Sequence, residues 1–204
     1  MEMHDAIASE LLAIEAIQIR THDYFTWASG IRSPIYCDNR LTMSYPAVRR
    51  QITLAFAEMI ENMDEHPDVI AGCATAGIPH AAWLAEKLDM PMVYVRSKPK
   101  EHGLGNQIEG HLTIGQRVLV VEDLISTGGS SIEAAEALRE RGADVLGVAA
   151  IFTYGLRKAE QQFAAANLAF RTITGFDAIL RLLTDDGTIT SSERHQLEEW
   201  RRGL

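Results

Sequence analysis

Two adjacent carboxylates, Glu122 and Asp123, stand shortly before the small-residue run Ser126, Thr127, Gly128, Gly129 and Ser130. Carboxylates accept hydrogen bonds from sugar hydroxyls or hold a hydrated cation. A turn of small residues can aim several backbone amides at one anion, because glycine tolerates the dihedrals such a nest needs. A helix that begins there adds its positive end. The acids repel phosphate and the turn attracts it, so together they suit a sugar that carries a phosphate. A strand, an acidic loop and an ordinary capped helix would leave the same pattern without any ligand.

A second group is cationic. Arg96, Lys98, Lys100 and His102 alternate with other residues, so an extended chain presents all four on one face. The chain has only four lysines and a net charge of -9. Two of those lysines fall here, which makes this the local positive cluster that an anionic ligand requires. Gly103, Gly105 and Gly110 follow. Such a loop can close over a polyphosphate, exclude water and stabilise a departing pyrophosphate, although a plain solvated loop fits the same composition.

The elements that must position these groups are legible from periodicity. Val118 to Val121 is a β-branched apolar run of the kind buried on both faces of a parallel sheet. Ile132, Ala135 and Leu138 form the stripe of the following helix, with Ser130 and Glu133 at capping-box spacing and Gly142 as its stop. Further strands are predicted at 69–71, 92–95, 144–151 and 169–173. Helices are predicted at about 5–20, 46–63, 80–88 and 156–166, with two more across 177–200 around Asp185-Asp186-Gly187. Strands alternating with helices imply an α/β fold with a mainly parallel central sheet flanked by helices. Its ligand should lie at the carboxyl ends of the strands. Residues 25–40, rich in aromatics and broken by Gly30 and Pro34, predict a hairpin-like hood, or an edge hairpin packed on the sheet.

Composition narrows the function. Hydrophobic residues make up 47% and charged residues 23% of 204 positions, enough for a full core in one domain. No apolar run is long enough to span a bilayer, and the acidic start is unlike a signal peptide. Cys37 and Cys73 are too few for a disulfide framework, so a reducing cytoplasm is expected. The acidic balance argues against nucleic-acid binding.

The stretch from Val118 to Ser131 resembles the phosphoribosyl pyrophosphate (PRPP) signature of type I phosphoribosyltransferases. Phe25-Thr26 with Ser29-Gly30, followed by Ser33-Pro34-Ile35-Tyr36, resembles the hood of the orotate phosphoribosyltransferases in that family. The run from Arg96 through Lys100, His102 and Asn106 to Gly110 is similar to their catalytic loop. The resemblance implies the type I phosphoribosyltransferase fold over residues 1–204 as one domain, with a small N-terminal hood formed mainly by about 20–42 and open to C-terminal contributions. It implies transfer of phosphoribose from PRPP to orotate, giving orotidine 5'-monophosphate and pyrophosphate.

The same resemblance assigns catalytic roles to Lys100, His102, Asp123 and Glu122. PRPP would meet Arg96, Lys100, His102, Glu122, Asp123, Leu124, Ile125, Ser126, Thr127, Gly128, Gly129 and Ser130. Orotate would meet Ser126, Ile35 and Tyr36. Magnesium would be held through PRPP and water near Asp123, with no direct protein ligand assigned. A homodimer is implied, with the 96–110 loop shared across its interface. Ala28 and Ala76 stand where many family members have lysine, Ser97 follows the loop arginine where a basic residue is common, and a later arginine that often meets orotate has no secure counterpart, Arg157 after Tyr154-Gly155 being the nearest basic residue. Two other readings share the PRPP signature: a phosphoribosyltransferase for a purine or other base, and a regulator that binds PRPP without chemistry.

Overall fold

The computed structural model describes residues 3–27, 30, 32–98 and 107–204. In chain order the elements are α1 (Met3–Ala13), β1 (Ile17–Ile19), β2 (Phe25–Thr26), β3 (Arg32–Ser33), β4 (Ile35–Cys37), a 3-10 helix (Asn39–Ser44) and α2 (Pro46–Glu61). They continue with β5 (Val69–Cys73), α3 (Gly77–Leu88), β6 (Met92–Val95), β7 (Ile108–Glu109) and β8 (Arg117–Ile125). The remainder is α4 (Gly129–Glu140), β9 (Asp144–Thr153), α5 (Arg157–Ala165), β10 (Phe170–Gly175), α6 (Phe176–Asp185) and α7 (Ser191–Arg202).

Six strands form one sheet in the order β10-β9-β8-β5-β6-β7. All its pairings are parallel except β6 with β7. Alternate residues of β8 face opposite ways, as a pleated strand requires. Leu119 and Val121 join a core with Ile7 of α1, Phe56 of α2, Leu84 of α3 and Ile179 of α6. Val118 and Val120 join a second core with Leu138 of α4 and Phe163 of α5. The sheet is therefore covered on both faces, which explains why β8 reads as an uninterrupted apolar run.

The order places a switch point between β5 and β8. From β5 the chain winds through α3 to β6 on one side, and from β8 through α4 to β9 on the other. The crevice at a switch point of this kind is where α/β sheets bind ligands.

Three sequence expectations are corrected. The first helix stops at Ala13 rather than near residue 20: Glu15 takes a positive φ of 58°, and Ile17 to Ile19 instead pair antiparallel with β4. The acids do not sit in a loop after the strand, because β8 runs on to Ile125 alongside β9. The capping box at Ser130 and Glu133 does not form. Gly128 caps α4 in the left-handed region, without a side-chain hydrogen bond.

The hood consists of two small antiparallel sheets, β1 with β4 and β2 with β3. Trp27 packs 4.9 Å from Tyr154 and edge-on to Trp200 at 6.0 Å, and Trp200 Nε1 donates to the Arg32 carbonyl at 3.0 Å. The C-terminal helix thus touches the hood, and β1 extends it upstream of residue 20.

Candidate active site

The site is built at the carboxyl ends of β5 and β8. Glu122 and Asp123 are consecutive on β8, so their side chains leave opposite faces, and their environments differ. Glu122 is 5% exposed. Its Oε1 accepts from the Asp123 amide at 3.0 Å, and its Oε2 accepts from Ser130 Oγ at 3.3 Å. Asp123 is only partly buried. Both carboxyls are held above the ordinary range. Burial is the leading cause for each, and the adjacent Asp123 charge adds to it at Glu122. Arg40 works against the rise at Asp123. Arg40 is itself clamped by Asp38, with contacts of 2.6 and 2.9 Å.

Glu122 is therefore a tie between β8 and the first turn of α4. Asp123 is the member of the pair that a ligand can reach.

Ser126 and Thr127 follow, half-buried, and Gly128 takes φ of +88°. A Cβ at Gly128 would also strike Phe163 Cε2 at 2.4 Å, so both conformation and packing require glycine there. Ile125 is fully buried in one core, which leaves only its backbone for any ligand contact, and Leu124 is partly buried against the other.

The second turn, Ala74 to Ala76, links β5 to α3 and contains a cis Ala74-Thr75 peptide. Cys73 lies beside it, its Sγ 3.7 Å from the Ser130 carbonyl. A small cleft of about 30 Å³ joins this turn to the start of the cationic segment, lined among others by Cys73, Ala74, Arg96, Ser97, Gln107 and Ser130. Arg96 is held there by reciprocal bonds with Gln107, each 2.9 Å, and its guanidinium lies 3.6 Å from Glu109. A larger cleft of about 240 Å³, lined by Met59, Leu119 and Phe170 among others, opens at the amino ends of the strands. None of the residues selected from sequence lines it.

The structure thus brings Glu122, Asp123, Ser126 to Ser130 and Arg96 to one end of the sheet. Lys100 and His102 lie outside the described residues. In the hood Tyr36 is 39% exposed and stacks 5.7 Å from Phe25, whereas Ile35 is fully buried. The Ile35 carbonyl already accepts from Trp27 Nε1 and Ser33 Oγ. Arg157 is exposed in the first turn of α5. Among the described residues no group of three or more His, Cys, Asp and Glu side chains is arranged to hold a metal ion.

Sequence reasoning missed Asn39. It is 1% exposed, and its Nδ2 donates to the Asp123 carbonyl at 2.6 Å. Within Cys37-Asp38-Asn39-Arg40 it reads as part of a solvated turn, and nothing local signals its burial. His80 serves packing. It is 1% exposed and edge-on to Trp83 at 5.3 Å, and burial lowers it to about 4.

Residues 44–176 match the family model described as the phosphoribosyl transferase domain. The chain is 58% identical to the orotate phosphoribosyltransferase of Oceanobacillus iheyensis over 202 residues, covering 99% of this chain and 100% of that one. It superposes on the crystal structure of orotate phosphoribosyltransferase from Aeropyrum pernix with a TM-score of 0.74 at 29% identity, covering 87% of this chain and 97% of that one. The Mycobacterium tuberculosis enzyme of the same name, solved in complex with PRPP, gives a TM-score of 0.67 at 26% identity, covering 87% and 99%.

Proposed function

The chain belongs to the orotate phosphoribosyltransferases of the phosphoribosyl transferase family, and from that premise we propose how its residues carry the reaction. The transfer moves phosphoribose from PRPP to orotate, yielding orotidine 5'-monophosphate and pyrophosphate in pyrimidine biosynthesis. The observation that carries the residue assignment is the switch point between β5 and β8, where the partly exposed Asp123 carboxylate and the small-residue turn of Ser126 to Ser130 lie at the same end of the sheet as Arg96.

In this reading the amides of Ser126 to Ser130 and the hydroxyls of Ser126 and Thr127 hold the 5'-phosphate at the positive end of α4. As the bond from ribose C1 to pyrophosphate breaks, positive charge grows on the sugar, and the pyrophosphate oxygen keeps the bonding electron pair. Asp123 stabilises the sugar charge. Glu122, committed to the Asp123 amide and Ser130, holds that carboxylate and the phosphate turn in fixed relation. Arg96, Lys100 and His102 meet the departing pyrophosphate. The orotate nitrogen then donates its electron pair to C1 as its N–H proton passes to the departing pyrophosphate, with the base resting near Ser126, Ile35 and Tyr36. Positioning supplies much of the remaining acceleration.

Magnesium fits the donors present. The partly open Asp123 carboxylate offers hard oxygens to the water shell of an ion carried by PRPP. When bound, it would neutralise charge on pyrophosphate. We further propose that the protein works as a homodimer whose 96–110 loop serves the neighbouring site, and that residues 1–204 act as one domain. No helix among the described residues is long and apolar enough to cross a membrane. We place the reaction in the cytoplasm, where a reducing environment suits the free thiols of Cys37 and Cys73.

The test is a base panel. With PRPP and magnesium, purified protein should consume orotate and leave adenine, hypoxanthine and uracil untouched. Turnover of a purine in place of orotate would overturn the assignment.

A further inference from the structure

We propose that Asn39 is a positioning residue for the acid pair, replacing a missing strand neighbour. The inference rests on the phosphoribosyl-transfer reading, because its readout is turnover.

The ladder between β5 and β8 reaches only Gly72 opposite Val121, while β9 stays alongside β8 to Ile125. The edge of β8 that faces β5 therefore loses its strand partner just before the acids. A backbone carbonyl left there would need a donor. The Asn39 carboxamide supplies it, through the 2.6 Å bond to the Asp123 carbonyl. That bond fixes the peptide following Asp123, and so the direction of its side chain.

Asn39 is itself braced. Thr42 Oγ1 donates to the Asn39 carbonyl at 2.6 Å and lies 3.4 Å from His80 Nε2, on the helix that follows the Ala74 to Ala76 turn. Two residues upstream of Asn39, β4 ends at Cys37, next to Tyr36. Asn39 thus ties the hood to the acid pair through its side chain, and its backbone carbonyl is linked through Thr42 to α3. Its Oδ1 finds no partner among the described residues. A residue kept only for packing would not be expected to bury an unpaired acceptor.

The test compares Asn39→Ala and the near-isosteric Asn39→Asp, whose carboxylate cannot donate, with wild type. Asp68→Ala is the control, since it removes the Arg117 ion pair at the opposite end of β8. Both Asn39 variants should lower kcat roughly ten- to hundredfold, the scale of a misplaced reacting group, with the KM for PRPP changed less than about threefold. Asp68→Ala should keep kcat within about twofold. In an Asp123→Asn background the Asn39→Ala loss should shrink to about twofold, because the residue acts through Asp123. Folded Asn39 variants with wild-type kcat, or a full additional loss in the Asp123→Asn background, would overturn the inference. So would failure of both variants to fold, which would make the bond a requirement of the fold instead. Wild-type protein that does not turn over orotate would sink the underlying reading, and the inference with it; wild-type turnover with unaffected Asn39 variants would sink the inference alone.

Discussion

Gly77 approaches β8 so closely that a Cβ at that position would lie 2.3 Å from the Val121 carbonyl oxygen and 3.2 Å from the Glu122 Cα. The turn after β5 and the acid-bearing end of β8 therefore pack as one unit. Gly77→Ala must push α3 away from the sheet, at a cost of about 1–3 kcal/mol. A lower Tm is expected, with kcat/KM for PRPP reduced as the two halves of the cleft separate. At Gly129 a Cβ would meet nothing within 4 Å, so Gly129→Ala should leave Tm unchanged. Equal Tm values for the two variants would contradict the close packing.

Glu122 makes stability depend on pH. Burial raises its carboxyl in the folded state above the ordinary value of 4.5, so the folded protein holds a proton that the unfolded chain has already released. Stability from this group is complete below about pH 4.5 and is lost as pH rises through the raised folded value. Glu122→Gln removes the ionisation. Relative to wild type, the variant should gain stability between about pH 5 and 9, on the order of 1–3 kcal/mol. Urea midpoints measured across that range check the sign, and a gap that narrows with rising pH would contradict it.

Much of this was legible in the chain because the signals were local. The β-branched run of β8 and the small-residue turn at Ser126 to Ser130 each carry a physical requirement within a few residues. What was not legible depended on distant partners. The first helix is expected to run on to about residue 20, yet pairing of Ile17 with Cys37 draws that segment into the hood. Ser130 had capping spacing, but its hydroxyl was taken by Glu122. Asn39 acquired its role from a carbonyl 84 positions away.

The shared loop can be tested by complementation. Lys100→Ala and Asp123→Asn proteins, each impaired alone, would be mixed under conditions that exchange subunits. If Lys100 serves the neighbouring site, each mixed dimer holds one site with both residues intact. Random assortment then restores about a quarter of all sites. A mixture no more active than its components, with exchange verified by mass, would place the loop within its own subunit and leave the assigned reaction standing.

The most direct measurement is the kcat of Asp123→Asn with orotate, PRPP and magnesium. Burial already disfavours the Asp123 charge, so neutralising it should not unfold the protein, and Tm should hold within a few degrees. Loss of one electrostatic partner of the ribosyl cation should lower kcat roughly ten- to a thousandfold. A folded Asp123→Asn protein that turns over orotate at the wild-type rate would contradict the placement of the reaction at this end of β8.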